Sequence, residues 1–273
     1  MTAGAPGPQP GTAAGSPDGG GPPALRATGL SKRFGEKVAV AAVDLVVPAG
    51  SFFGLVGPNG AGKTTTMLMA TGLLRPDLGI VEVLGADVWR DPVAAKRVIG
   101  VLPEGLRLFE RLSGRELLQY VGRLHRLAPA AADERAEDLL EVLGLSESAR
   151  TLVVDYSTGM RKKVALAAAL IANPRVLFLD EPFEAVDPVS AHTIREVLLR
   201  YTASGSSVIF SSHAMDLVER LCDRVAIMHG GRIVAAGALD EVRGGRSLEE
   251  AFLAYVGAPA RGEGLTWLGS SSA

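Results

Sequence analysis

Gly57-Pro58-Asn59-Gly60-Ala61-Gly62-Lys63-Thr64-Thr65 is the stretch whose reading decides the fold. It fits the phosphate-loop pattern G-x-x-x-x-G-K-[ST], and its flanks give it a context. Upstream, Phe52 to Val56 reads as a buried strand; downstream, Thr64 to Leu74 reads as a helix with an apolar face. The glycines therefore fall between a strand end and a helix start. Lacking Cβ atoms, Gly57, Gly60 and Gly62 let the backbone curl around an anion, and the helix N-terminus adds about half a positive charge. Lys63 would bring a full charge to the β- and γ-phosphates of a nucleotide, and the Thr64 hydroxyl could ligate magnesium.

A second element, Val176-Leu177-Phe178-Leu179-Asp180-Glu181-Pro182, runs four apolar residues straight into two acids. Paired carboxylates at the end of a buried strand are costly without a cation, so the pair is expected to face the metal–phosphate site. Asp180 would hold the magnesium shell. Glu181, one residue on, is placed to orient or deprotonate an attacking water.

Between these elements lies Tyr156-Ser157-Thr158-Gly159-Met160-Arg161-Lys162-Lys163, which resembles the signature motif of ATP-binding cassette (ABC) proteins. Phe34 upstream, Leu102-Pro103-Glu104 in the middle, Val186-Asp187-Pro188 after the acids and His213 downstream complete the cassette order over residues 25 to 257. The resemblance implies an α/β P-loop ATPase with a mixed sheet core, an antiparallel β subdomain and an inserted α-helical subdomain at about 105–155. It implies ATP and magnesium as ligands. Phe34 would stack on adenine, the loop from Gly57 to Thr65 would cradle the phosphates, and Thr64, Glu104 and Asp180 would hold the metal. Glu181 would be the catalytic carboxylate and His213 a γ-phosphate sensor. Ser157, Gly159 and Met160, with Asp187, would serve the ATP of an opposite subunit in a head-to-tail dimer.

Three departures from the family pattern stand out. Glu104 occupies a glutamine position and adds negative charge beside the phosphates; Thr158 brings a Cβ where a closely packed glycine is usual; and Glu184-Ala185-Val186 precedes Asp187. Thr71 to Asp77, the Leu-Pro-Glu variant and the closing Leu248 to Leu253 are similar to the ATPases of bacterial drug and antibiotic-resistance exporters, whose membrane subunits are separate chains. That likeness implies a permease partner, received near Glu104 and Leu106 to Leu112, and a second cassette. A soluble clamp acting on ribosomes or DNA is the alternative; such relatives carry two cassettes or a long coiled-coil insertion, which this chain lacks.

With 273 residues and 47% apolar content, one substantial nucleotide-binding domain is expected. The single cysteine, Cys222, excludes an internal disulfide, and His125, His192 and His229 read as surface residues without metal-ligand spacing. Net charge of −2 with no basic tract gives no footing for nucleic acid. The apolar run Val164 to Ala172 is too short to span a bilayer, and the N-terminus has no signal-peptide pattern, so a cytoplasmic chain peripheral on the inner membrane face is expected. The Pro/Gly/Ala/Ser-rich residues 1–24 are expected to be disordered and 258–273 to be a flexible tail, apart from a possible docking turn at Leu265 to Leu268.

Overall fold

The computed structural model describes residues 21–105 and 108–257. The tail expectations for 1–20 and 258–273, and for Leu106, lie outside the described residues. Within them, order begins at once, for Ala24 is already fully buried.

Along the chain run β1 (Leu25–Phe34), β2 (Lys37–Val47), β3 (Phe52–Val56), α1 (Lys63–Ala70), β4 (Leu78–Val83), β5 (Ala86–Asp87), α2 (Pro92–Val98) and β6 (Ile99–Leu102). The helical stretch α3 (Gly114–Leu124), α4 (Pro129–Val142) and α5 (Thr158–Leu170) follows. Then come β7 (Val176–Asp180), α6 (Pro188–Ala203), β8 (Ser207–Ser212), α7 (Met215–Leu221), β9 (Arg224–His229), β10 (Arg232–Ala238), α8 (Leu239–Arg243) and α9 (Leu248–Val256).

The strands form two sheets. One is antiparallel, in the order β2-β1-β4-β5. The other, β10-β9-β3-β8-β7-β6, is parallel from β9 to β6 with β10 antiparallel at one edge. The fold is therefore the mixed α/β architecture expected, with a separate antiparallel sheet.

Period-2 alternation explains why β3, β7 and β8 are apolar on both faces. Phe52, Val56, Leu177, Leu179, Val208 and Phe210 join a core shared with the helices α3 to α6. Their neighbours Phe53, Leu55, Val176, Phe178 and Ile209 join a second core shared with α1 and the antiparallel sheet. Because β3, β8 and β7 are parallel neighbours, the turns that follow them emerge along one sheet edge, the place where open α/β sheets bind ligands.

Three elements differ from the sequence expectations, one of them the two-residue strand β5, too short to leave a signal. The helix after the glycine loop stops at Ala70 rather than Leu74, because Gly72 adopts φ +73° and the amides of Leu73 and Leu74 both fold back onto the Leu68 carbonyl. The strand β6 is additional: it is four residues long and follows α2 with no intervening turn residues, so neither length nor punctuation marks it. The Gly230-Gly231 turn joining β9 and β10 does carry the positive φ values, 53° and 78°, that a two-residue hairpin favours.

Gly100 in β6 is where α5 approaches most closely. A Cβ there would lie 2.4 Å from the Ala169 carbonyl oxygen and 2.8 Å from the Pro174 ring. Gly100→Ala is expected to destabilise the protein by about 1–3 kcal/mol, read as a lower urea midpoint at unchanged m-value.

Candidate functional site

The loop after β3 is shaped by close approaches. A Cβ on Gly57 would sit 2.1 Å from the Met228 carbonyl, and Gly62, at φ +108°, would place one 2.5 Å from the Ala39 carbonyl. Glycine is required at both positions. Gly62 is the N-cap of α1 and provides no side-chain cap, so the first-turn amides of Lys63, Thr64 and Thr65 have no capping side chain to satisfy them. An uncapped helix start in a glycine cradle suits an anion. Pro58 and Ala61 serve the cradle itself: the Pro58 carbonyl accepts from the Ala61 amide at 3.1 Å, and the Ala61 carbonyl accepts from Gly231 at 2.9 Å.

Lys63 is only 6% exposed, and its ammonium donates to the Gly57 carbonyl at 2.8 Å and lies 3.5 Å from Glu181 Oε1. Glu181 Oε2 is 3.2 Å from His213 Nδ1. The elements after β3, β7 and β8 thus meet in one charged row.

Asp180 and Glu181 are held together by Ser211 on β8. Its hydroxyl donates to Asp180 Oδ1 and accepts from the Glu181 amide at 3.0 Å. Glu181 adopts φ +45°, a left-handed conformation that costs a non-glycine residue about 1–3 kcal/mol. Two bonds to its backbone offset this strain: the one to Ser211, and one from the Lys162 ammonium to its carbonyl at 2.8 Å, of the charge-assisted kind that contributes about 1.5–3 kcal/mol. Burial pulls the Lys162 ammonium below the usual lysine range, against the attraction of Glu184, Asp180 and Glu181.

The Thr64 hydroxyl lies 3.1 Å from Glu104 Oε2 and 3.4 Å from Asp180 Oδ1. Asp180 Oδ2 is buried and has no hydrogen-bond partner. Burial pushes the Asp180 carboxyl above the ordinary aspartate range, and the hydrogen bonds from Ser211 and Thr64 pull it back. An orphaned carboxylate oxygen beside a second carboxylate and a hydroxyl is an all-oxygen donor set that fits a hard divalent cation.

Lys63, Thr64, Glu104, Glu181 and His213 open onto a cleft of about 360 Å³, while Asp180 stays buried. Phe34 from the antiparallel sheet forms one wall; Asn59, Gly60 and Gly62 to Thr65 form the floor; and Glu104, Glu181 and His213 form the far side. Phe34 is 50% exposed, with the Lys32 ammonium 5.8 Å from its ring centroid, so it is a presented aromatic and not a core one. Lys37 and Glu184 also line the cleft. No motif marked them, because Lys37 arrives by strand pairing with Phe34 and Glu184 by the turn after the acids.

The remaining expected residues cluster outside this cleft. Ser157 caps α5 by accepting from the Met160 amide at 3.2 Å and is itself exposed. Gly159 packs on the turn into α6, where an added Cβ would meet Asp187 Oδ2 at 2.6 Å and Ser190 Oγ at 2.7 Å. Hydrogen bonds from the Ser190 amide and hydroxyl hold the Asp187 carboxyl below the usual range. Thr158 is exposed in this single chain. Of the expected Leu-Phe patch, Phe109 is 54% exposed and edge-on to Tyr120, whereas Leu108 and Leu112 pack against the core.

A glycine loop on an uncapped helix start, a buried lysine and paired acids on the neighbouring strands define a phosphate-loop nucleotide-hydrolysing domain. Residues 40–184 match the ABC transporter family, and the chain belongs to that family: it is an ATP-binding, ATP-hydrolysing transport subunit. It is 40% identical to the daunorubicin resistance ATP-binding protein DrrA3 of Streptomyces coeruleorubidus, over 81% of this chain and 70% of that protein. It is 39% identical to the Nod factor export ATP-binding protein I of Burkholderia lata, over 77% of this chain and 69% of that protein. A solved ATP-binding subunit of an ABC transporter superposes with a TM-score of 0.79 at 30% identity, covering 85% of this chain and 99% of that one. Among the described residues no helix is long and apolar enough to cross a membrane.

Because burial favours the protonated Asp180, the nucleotide-free protein loses stability as pH rises from the ordinary aspartate range through the elevated folded value. Asp180→Asn removes that loss while keeping an acceptor for Ser211 and Thr64. Without nucleotide at pH 7, its Tm is expected to exceed wild type by ~2–4 °C, a gap that closes in acid, whereas ATP with magnesium should stabilise the wild type more. Differential scanning fluorimetry across pH checks both.

Proposed function

We propose that this chain powers export through a separate membrane permease, by closing ATP and magnesium between two cassettes and reopening when ATP is hydrolysed. The observation that carries the reading is the convergence, in one cleft, of a presented aromatic, an anion cradle and the carboxylates of Glu104 and Glu181, with buried Asp180 and its orphaned oxygen joined to that cleft through Thr64. Relatives named for drug resistance and for Nod factor export support the direction of transport. The chain has no candidate membrane span of its own among the described residues, so its attachment to the inner membrane face would come through the partner.

In this reading Phe34 stacks on the adenine, while Lys63 and the amides from Gly60 to Thr65 hold the phosphates. Thr64, Asp180 and Glu104 hold magnesium, which neutralises phosphate charge and orients the terminal group. Glu104, charged where glutamine would be neutral, makes ATP binding more dependent on the metal. Glu181 accepts the proton of the attacking water, and His213, against Glu181 Oε2, orients that carboxylate and meets the γ-phosphate. Lys63 is freed from Glu181 when phosphate offers it a better partner.

Ser157, Gly159, Met160 and Asp187 do not line this chain's own cleft, which supports their serving the ATP of a facing cassette. The N-terminal end of α5 is then the second half of a composite site. Phe109 and Tyr120 offer an exposed aromatic pair on the helical stretch for the permease.

Glu181→Gln removes the base and keeps the hydrogen-bonding shape. Turnover is expected to fall about 10²–10⁴-fold. ATP binding should persist, and the variant should accumulate as an ATP-dependent dimer by size exclusion with light scattering. Capture of that variant from detergent-solubilised membranes should recover a polytopic membrane protein; wild-type turnover in Glu181→Gln would refute the catalytic role.

A further inference from the structure

We propose that Lys162 is a positioning residue for hydrolysis, holding the Glu181 carboxylate in place through the Glu181 backbone carbonyl. The inference rests on the role given to Glu181 above and adds to it a residue in a different element.

Lys162 stands in the first turns of α5, on the helix whose start carries Ser157 and Gly159. Its ammonium does not engage a carboxylate by hydrogen bond; it donates to the Glu181 carbonyl at 2.8 Å. That carbonyl also accepts from the Glu184 amide at 3.2 Å, which closes the local turn. The Lys162 bond is the shorter of the two and the one that ties the turn to another element.

What it restrains is a residue out of its ordinary conformation. Glu181 sits at φ +45°, and Ala185, four residues on, at φ +55°. A return of Glu181 to negative φ would swing its side chain away from His213 Nδ1, now 3.2 Å off, and from Lys63 Nζ, 3.5 Å off. Ser211 restrains the amide side of this residue and Lys162 the carbonyl side. The segment from Glu181 to Asp187 is held at its far end by the same helix, where Gly159 packs against Asp187. One turn of α5 thus grips both ends of the strained segment.

The test compares Lys162→Met, which keeps the aliphatic stem, with Lys162→Arg, which keeps a charged donor, in the full-length chain. Steady-state ATP hydrolysis is read alongside binding of a fluorescent ATP analogue. Lys162→Met is expected to lower kcat at least tenfold with KM and analogue Kd changed less than threefold, and Lys162→Arg to restore most of kcat. In the Glu181→Gln background, Lys162→Met should cost nothing further, because both act through one carboxylate. Wild-type kcat in Lys162→Met, or a further tenfold loss in the double variant, would overturn the inference. Should Lys162→Met not fold, the contrast of Lys162→Arg with Lys162→Gln decides it: active arginine with slow glutamine supports it, and equal rates overturn it. Full turnover in Glu181→Gln would instead defeat the reading of Glu181 itself.

Discussion

Three charged side chains are buried together at one edge of the central sheet: Lys63 at 6% exposure, Asp180 at 3% and Glu181 at 8%. Each would cost several kcal/mol if left alone in a dry interior. They are tolerable because each finds a partner: Lys63 faces Glu181 and two loop carbonyls, the Glu181 carboxylate also meets His213, and the Ser211 hydroxyl donates to Asp180. The compensation is incomplete, for Asp180 keeps one oxygen without a partner. That residual imbalance would favour a cation, and the uncapped start of α1 is its counterpart for an anion. The nucleotide-free protein holds itself in a state that a magnesium nucleotide would relieve.

The sheet topology is what makes this concentration of charge possible. Strands β3, β8 and β7 present apolar residues to both faces, so they bury two cores at once and gather the charged groups at their C-terminal ends. Parallel pairing brings those ends into line. The antiparallel sheet then supplies Phe34, so the two ends of the cleft are lined from different sheets of one chain.

The motifs that announce themselves in the sequence are those in which local backbone and chemistry coincide. The loop from Gly57 to Thr65 is readable because a strand, a turn and a helix each leave their period around it, and the acid pair because four apolar residues end abruptly in charge. The core strands and the helical stretch were legible for the same reason, whereas the separate antiparallel sheet was implied only by the family resemblance. Less legible were features created by tertiary contact alone. Strand β6 is too short to show a period. Ser211 reads as one polar residue at a strand end, and nothing in its neighbourhood says that it will bridge two acids thirty residues away in sequence. Lys162 sits in a basic run where solvation is the ordinary expectation, and it meets Glu181 only because α5 packs beside β6. The demand for glycine at 159 likewise comes from the start of α6, an element the signature stretch does not contain.

The helical stretch leaves the sheet just after Glu104, which touches Thr64, and rejoins the body through α5, where Lys162 touches Glu181. Its point of departure and its point of return are therefore both seated at the phosphate end of the cleft. A displacement of α5 against the sheet would therefore disturb the Lys162–Glu181 bond directly. The return through α5 ties the rim of the helical stretch to the acid whose strained backbone the site depends on.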